Sequence, residues 1–169
     1  MAPTATLVHQ FLSATTNLRS DDFGSTVDRR IRLAAEVVQA IAAAIGPERT
    51  ALRISPGNPY NDMFEPDAHS VYLALTAALR PLGLAYLHVV EVGDRRLTQQ
   101  LRTEFRGPFM LNPHTAPRPT GVAELGLVKD GTADLISYGA LFLANPDLPG
   151  GSPGAAPSTP PACHLLRRR

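Results

Sequence analysis

The side chains in this sequence that could do chemistry lie where the predicted strands end. Polar or small residues end, or directly follow, each of four apolar segments, TALRIS, LAYLHVVE, PFMLN and ADLISYG. The residues at these ends are Arg53, Ser55, His88, Glu91, Asn112, His114 and the segment 137–140. Because the carboxyl ends of parallel strands meet at one edge of a sheet, we expect these residues to form a common site.

Arg53 is the most informative of these residues. It lies inside a short strand segment whose other residues can pack in a core, and an unpaired buried guanidinium is costly. Arg53 therefore needs an anion or an electron-rich partner. An ion pair with Glu91, or with another acid at the same edge, would also meet that need, and position alone favours it at least as much as a ligand.

The elements that would position these residues alternate strictly between strand and helix. Apolar spacing predicts a helix from Val27 that is closed by Gly46, with Ser25 and Asp28 as a capping box. Further helices are predicted over 68–83, 95–107 and 121–131, with a strand before each of them and a last strand after the third. This order predicts an α/β fold with a parallel sheet, and the spacing of the strands is typical of a (β/α) barrel.

Composition excludes several classes of function. The net charge of +1 gives no reason to expect nucleic acid or an acidic membrane as a partner. Cys163 is the single cysteine and the five histidines show no paired ligand spacing, so we expect no metal site. No apolar run reaches membrane-spanning length, and the first residues lack the basic start of a signal peptide, which makes a cytoplasmic location the expectation.

Five blocks of the sequence resemble the Old Yellow Enzyme family. They are HQFLSATTNLRSDDFGSTVDRR, ALRISPGNPYNDM, LGLAYLHVVE, FRGPFMLN and ADLISYGALFLANPDLP. The resemblance runs from about Leu7 to Pro149 and covers the C-terminal half of the family fold. It implies a partial (β/α)8 TIM barrel, FMN as cofactor, NAD(P)H as reductant, and reduction of the C=C bond of a small-molecule α,β-unsaturated carbonyl compound (an enone).

The resemblance also implies roles for particular residues. Arg53 matches the arginine beside the flavin pyrimidine, where a fixed cation favours the electron-rich flavin. Gly139 and Ala140 match the segment that holds the FMN phosphate through backbone amides, although many relatives carry arginine where Ala140 stands. Asn112 and His114 lie on the preceding phosphate loop, where many relatives have paired glycines. The cofactor-binding prediction is therefore Arg53, Asn112, Gly139 and Ala140.

A second matching block is predicted to support the fold rather than the chemistry. It is a turn formed by Asn17, Arg19, Asp21 and Gly24. Phe23 stands where a tyrosine is common in the family, and Arg29 where an asparagine is common.

The first six residues, MAPTAT, depart from the family pattern. The motif that normally precedes LVHQFL is His-Gly-Ala-Asn-Gly-Tyr, whose His and Asn donate hydrogen bonds to the substrate carbonyl. Met1 occupies the position of that histidine and Thr4 that of the asparagine, so no catalytic residue is predicted in this chain. The codons of the motif, read one nucleotide later, can encode MAPTAT, and we therefore expect residues 1–6 to be an out-of-frame start.

From residue 150 the composition becomes rich in Pro, Gly and Ala without periodicity, which predicts a disordered tail over 150–169. Its last six residues, HLLRRR, can likewise be a shifted reading of the family's closing Thr-Phe-Tyr-Gly-Gly. A natural short start with a natural disordered tail is the alternative.

Three hypotheses for function follow. The first is a piece of an FMN-dependent oxidoreductase, inactive as written. The second is a non-catalytic half-barrel that binds flavin weakly or pairs with another copy through its open strand edges. The third is a gene-model fragment with no stable fold of its own.

Overall fold

The structure is a computed structural model that describes residues 7–60, 63–139 and 142. The predictions made for Met1, Thr4, the rest of segment 1–6, Ala140 and the tail 150–169 lie outside the described residues.

From residue 27 onward helices and strands alternate, as the sequence predicts, whereas the short helix over 7–12 was not predicted. The helices are α1 (Leu7–Leu12), α2 (Val27–Ile45), α3 (Ala68–Leu79), α4 (Arg95–Phe105) and α5 (Gly126–Lys129). The strands are β1 (Ala51–Ile54), β2 (Tyr86–Val90), β3 (Phe109–Asn112) and β4 (Leu135–Ile136). They form a four-stranded sheet in the order β1-β2-β3-β4, in which each neighbouring pair is parallel.

Helix α2 follows from its apolar spacing, although its start differs from the prediction. Ile31, Ala34 and Val38 are buried on one face, and Gly46 ends the helix at φ 95° with its N–H bonded to Ala42 O at 2.9 Å. The predicted capping box is wrong. Ser25 adopts a left-handed φ of 74°, so the residue before the first turn is Thr26, whose side chain makes no capping hydrogen bond.

The helix predicted over 121–131 is shorter than expected. A 3₁₀ turn over Val122–Leu125 precedes α5, which ends before Gly131 at φ 78°. Gly126 at the junction weakens helix propagation, because glycine loses more backbone entropy than other residues. Val122, Leu125 and Val128 in this region remain partly exposed.

The two faces of the sheet differ in chemistry. One face packs against the helices, and its buried residues are Ile54, Leu87, Val89, Phe109 and Leu111. Alternate residues lie on the opposite face, and register places Arg53, His88, Met110 and Leu135 in one row across the four strands. Because strand side chains alternate between faces, the sequence of each strand determines both layers. The uncovered face is polar where β1 meets β2.

Both outer edges of the sheet are open within the described part of the chain. There β1 pairs only with β2, and β4 only with β3. A cavity of about 330 Å³ lies beside β1 and is walled by α1 and α2. Val37 and Ile41, which line this cavity, are 38% and 44% exposed. This architecture is a partial barrel, as predicted.

Candidate functional site

Arg53 and His88 lie side by side on the uncovered face of the sheet. Arg53 on β1 is opposite His88 on β2 in the strand register. Partial burial lowers the pKa of Arg53 from its usual value. Arg53 still keeps its charge at neutral pH, because the usual pKa of an arginine lies far above neutrality. Burial, and then the charge of Arg53, lower the pKa of His88 to about 4. The pair therefore offers one fixed positive charge beside a neutral imidazole.

The imidazole of His88 is held in place by the end of β4. Its Nε2 lies 3.0 Å from Ser137 Oγ. Because a neutral imidazole has one donor and one acceptor nitrogen, the hydroxyl can serve either tautomer. This contact joins β2 to the segment after β4, so two of the predicted strand ends lie together at the site.

Glu91, the alternative partner considered for Arg53, forms its ion pair with Arg95. Arg95 Nε lies 2.6 Å from Glu91 Oε1. The charge of this buried acid is therefore balanced from α4, on the side of the sheet that carries the helices.

Asn112 also lies at the predicted edge, where its amide holds another strand. Asn112 Nδ2 donates to Ser137 O at 2.9 Å, and Ser137 N–H donates to Leu111 O at 2.9 Å. These bonds extend the pairing of β3 and β4 beyond the strands themselves. The direct contact of Asn112 with a cofactor stays a prediction.

Gly139 follows Ser137 and is exposed. A Cβ placed on Gly139 would meet no other described atom within 4 Å. The backbone at this position is thus accessible to a ligand, which is the property that the predicted phosphate contact requires.

A buried polar cluster that the sequence did not reveal lies behind β1. The Glu65 side chain is 2% exposed, and its Oε1 is 3.0 Å from His9 Nε2. Tyr72 OH donates to Glu65 Oε1 at 2.9 Å, and Gly57 N–H donates to Oε2 at 2.9 Å. Burial, followed by the charge of Glu65, raises the pKa of Tyr72. The cluster ties the loop after β1 to α1 and α3.

A buried ion pair was also missed. Arg30 is 3% exposed, donates to Leu12 O, and pairs with Asp67 at the start of α3. It sits on the buried face of α2, where the apolar spacing predicts only hydrophobic residues. The pair joins the ends of α1, α2 and α3, which is a structural role.

The predicted supporting turn after α1 is held by hydrogen bonds. Asn17 Nδ2 donates to Phe11 O and to Phe23 O, each at 2.7 Å. A Cβ on Gly24 would lie 2.2 Å from Arg19 O, so only glycine fits there. The turn contributes to the fold, which is the role that the family resemblance implies for it.

Comparison with known proteins adds to this geometry. The sequence model of the NADH:flavin oxidoreductase / NADH oxidase family matches residues 2–151. The chain belongs to this family.

Members of the NADH:flavin oxidoreductase family resemble the chain in both sequence and structure. 12-oxophytodienoate reductase 7 from Oryza sativa subsp. japonica is 36% identical over 166 residues, covering 84% of this chain and 41% of that protein. The Old Yellow Enzyme homologue from Zymomonas mobilis superposes with a TM-score of 0.77 at 32% identity, covering 85% of this chain and 42% of that structure. Morphinone reductase gives a TM-score of 0.78 at 32% identity, over 86% of this chain and 40% of that structure.

These comparisons confirm the predicted resemblance to Old Yellow Enzymes and the partial barrel. The chain spans less than half the length of the curated relatives and solved structures described above. In the part of the chain that the structure describes, no helix is long and apolar enough to cross a membrane. The same residues contain no group of three His, Cys, Asp or Glu side chains placed to hold a metal ion.

Proposed function

We propose that this chain forms part of an FMN-dependent oxidoreductase that uses NAD(P)H to reduce the C=C bond of α,β-unsaturated carbonyl compounds. The observation that carries the proposal is Arg53, a cation on the uncovered sheet face in a chain of the NADH:flavin oxidoreductase family. Packing of the strand does not require a charge at that position. A bound flavin would be stabilised by one, because its pyrimidine ring gains electron density on reduction.

The residues of this structure fit FMN. Arg53 supplies a positive charge, the low pKa of His88 keeps the neighbouring imidazole neutral, and Gly139 leaves backbone accessible to a phosphate. The residues proposed to hold the cofactor are Arg53, Asn112, Gly139 and Ala140. When bound, FMN would supply the hydride transfer, accepting a hydride from NAD(P)H and donating it to the alkene.

The chain's own residues perform the positioning and the electrostatics. Arg53 favours the electron-rich form of the flavin, and Ser137 keeps the imidazole of His88 oriented beside it. Met1 and Thr4 stand where the family has its carbonyl-binding His and Asn. Methionine and threonine do not make the paired donation to the substrate carbonyl, so we expect the chain by itself to be inactive.

The test is a titration of FMN into the purified chain, followed by quenching of flavin fluorescence and by the visible absorbance of the flavin. Replacing Arg53 with alanine should weaken binding at least tenfold, because a charge-assisted contact to the flavin is lost. Arg49→Ala is the matched control, since Arg49 is an exposed arginine just before the opposite end of β1 and pairs with Glu48. Equal FMN affinity in the two variants would refute the role of Arg53.

An assembly role is the second candidate, and the exposed apolar residues beside both sheet edges favour it. Val37 and Ile41 line the cavity beside β1 and are exposed, and Leu135 is exposed on β4 itself. Open parallel edges flanked by such residues invite pairing with another copy of the chain. Light scattering on a sizing column would detect this homo-oligomer, and a monomer at micromolar concentration would refute it. A cytoplasmic location completes the proposal.

A further inference from the structure

One buried carboxylate at the candidate site accepts hydrogen bonds from two separate elements. The Glu91 side chain follows β2 and is 3% exposed. Its Oε1 accepts from Arg95 Nε at 2.6 Å and from Thr98 Oγ1 at 2.8 Å. Its Oε2 accepts from Arg95 Nη2 at 2.8 Å and from the backbone N–H of His114 at 3.0 Å. Both oxygens of Glu91 are thus engaged by donors from α4 and from the loop after β3.

The contact with His114 is not needed to build α4. Helix α4 has its own cap, because Asp94 Oδ1 accepts from Leu97 N–H at 3.2 Å. Arg95 and Thr98 already hold Glu91 against the helix. The bond to His114 instead reaches 23 residues along the chain, into the loop that follows the carboxyl end of β3.

That loop begins at a predicted cofactor contact. Asn112 is held on one side by its bond to Ser137 O, and His114, two residues later, is held on the other by Glu91. A short segment fixed at both ends presents its groups in one geometry. Such preorganisation lowers the entropic cost of binding a ligand.

The charge of Glu91 does not oppose an anion at this edge. Arg95 balances it through two contacts, from Nε at 2.6 Å and from Nη2 at 2.8 Å. An ion pair of this kind has little net field beyond its immediate surroundings. An acid can therefore anchor the loop next to a phosphate without repelling it.

We propose that Glu91 is a positioning residue that fixes the segment 112–114 for binding of the flavin cofactor. The role in ligand binding rests on the proposed function, since the ligand is FMN. The role in anchoring the loop does not, and the experiment separates the two.

The variants are chosen to break different parts of the network. Glu91→Met roughly keeps the size of the side chain and removes the charge and both carboxylate oxygens. Thr98→Val is the matched control, because it removes one hydrogen bond to the same carboxylate from a buried residue and leaves the His114 contact in place. If Glu91→Met does not fold, His114→Pro takes its place, since it removes the backbone donor, although it also removes the imidazole and fixes φ. His114→Ala, which loses the imidazole and keeps the backbone N–H, is then the control.

Two measurements are made on the full chain. Amide hydrogen exchange reports whether the loop is anchored, and an FMN titration reports cofactor binding. The two variants are compared at temperatures equally far below their melting points. In Glu91→Met, exchange should rise about tenfold at the amide of His114, which donates to Glu91, and at the amide of Arg118, which donates to Thr115 O at 3.0 Å. The Kd for FMN should rise by a similar factor, the effect of losing one hydrogen bond to a charged group. Thr98→Val should leave both within about twofold.

Each other outcome overturns part of the proposal. Equal exchange in Glu91→Met and Thr98→Val would show that Glu91 does not anchor the loop. Faster exchange with unchanged FMN affinity would show that anchoring does not serve the cofactor. If the unmodified chain binds no FMN, the proposed function fails and the ligand role of Glu91 falls with it, while amide exchange still decides whether Glu91 anchors the loop.

Discussion

Replacing Glu65 with alanine should destabilise the chain by about 3 kcal/mol, more than any single hydrogen bond in its cluster is worth. The reason is that Glu65 accepts from three donors, two of which are buried. Tyr72 is 1% exposed and His9 is 7% exposed, whereas Gly57 is exposed and its N–H can turn to water.

The magnitude follows from what the deletion leaves behind. A buried donor without a partner costs about 1–3 kcal/mol. Tyr72 OH lies 3.2 Å from His9 Nε2, so these two groups can still bond to each other. About one unsatisfied group therefore remains, and the one lost methylene of Glu65 adds roughly 0.8 kcal/mol. Tyr72→Phe removes one donor and leaves Glu65 with His9 and Gly57, at a cost of about 1 kcal/mol.

Urea unfolding followed by circular dichroism measures both variants. For a slope near 2 kcal/mol per molar urea, the midpoint should fall by about 1.5 M for Glu65→Ala and by about 0.5 M for Tyr72→Phe. A loss in Glu65→Ala no larger than in Tyr72→Phe would refute the reasoning. It would mean that the carboxylate is not the shared acceptor that holds the loop after β1.

Two further predictions concern His88 and Gly24. Because the folded pKa of His88 is lowered to about 4, its imidazole should stay neutral in an NMR titration down to about pH 5. The unfolded chain takes up that proton near pH 6.5, so stability should fall as pH drops from about 6.5 towards 4, and His88→Gln should flatten this part of the profile. An imidazole that titrates near 6.5 in the folded chain would contradict the depressed pKa. Gly24→Ala should lower the melting temperature sharply, because its Cβ would lie 2.2 Å from Arg19 O, whereas Gly126→Ala meets no atom within 4 Å and should be neutral or slightly stabilising. Equal melting temperatures in these two variants would contradict the close packing at Gly24.

Much of the fold could be predicted because local patterns carry it. The apolar spacing of α2 and the glycine that ends it depend on neighbouring residues only. The alternation in β1 and β2 likewise places Arg53 and His88 opposite the helices, since strand side chains change face at each residue. To place Arg53 and His88 in one row, the register of the two strands must also be known, and it follows once the strands are parallel neighbours.

The remaining features depend on contacts that sequence spacing does not encode. Glu65 reads as one acid in a polar loop, and its contact with His9 spans 56 residues. Arg30 reads as a solvent-facing charge until Asp67 is brought to it by the packing of α3 on α2. The capping box failed for a different reason, because the positive φ of Ser25 moved the start of the helix by one residue. Glu91 was recognised as a polar group at a strand end, but its hold on His114 could be found only in three dimensions.

The polar face of the sheet has a thermodynamic consequence. Arg53, His88 and Asn112 already meet solvent from that side in the described chain, so unfolding uncovers less new apolar surface than in a domain with both sheet faces covered. Hydration of apolar surface is what makes the heat capacity rise on unfolding, by about 12–15 cal/mol/K per residue in ordinary domains. The increment for this chain should be smaller, and its free energy of unfolding should change less steeply on either side of the temperature of maximum stability.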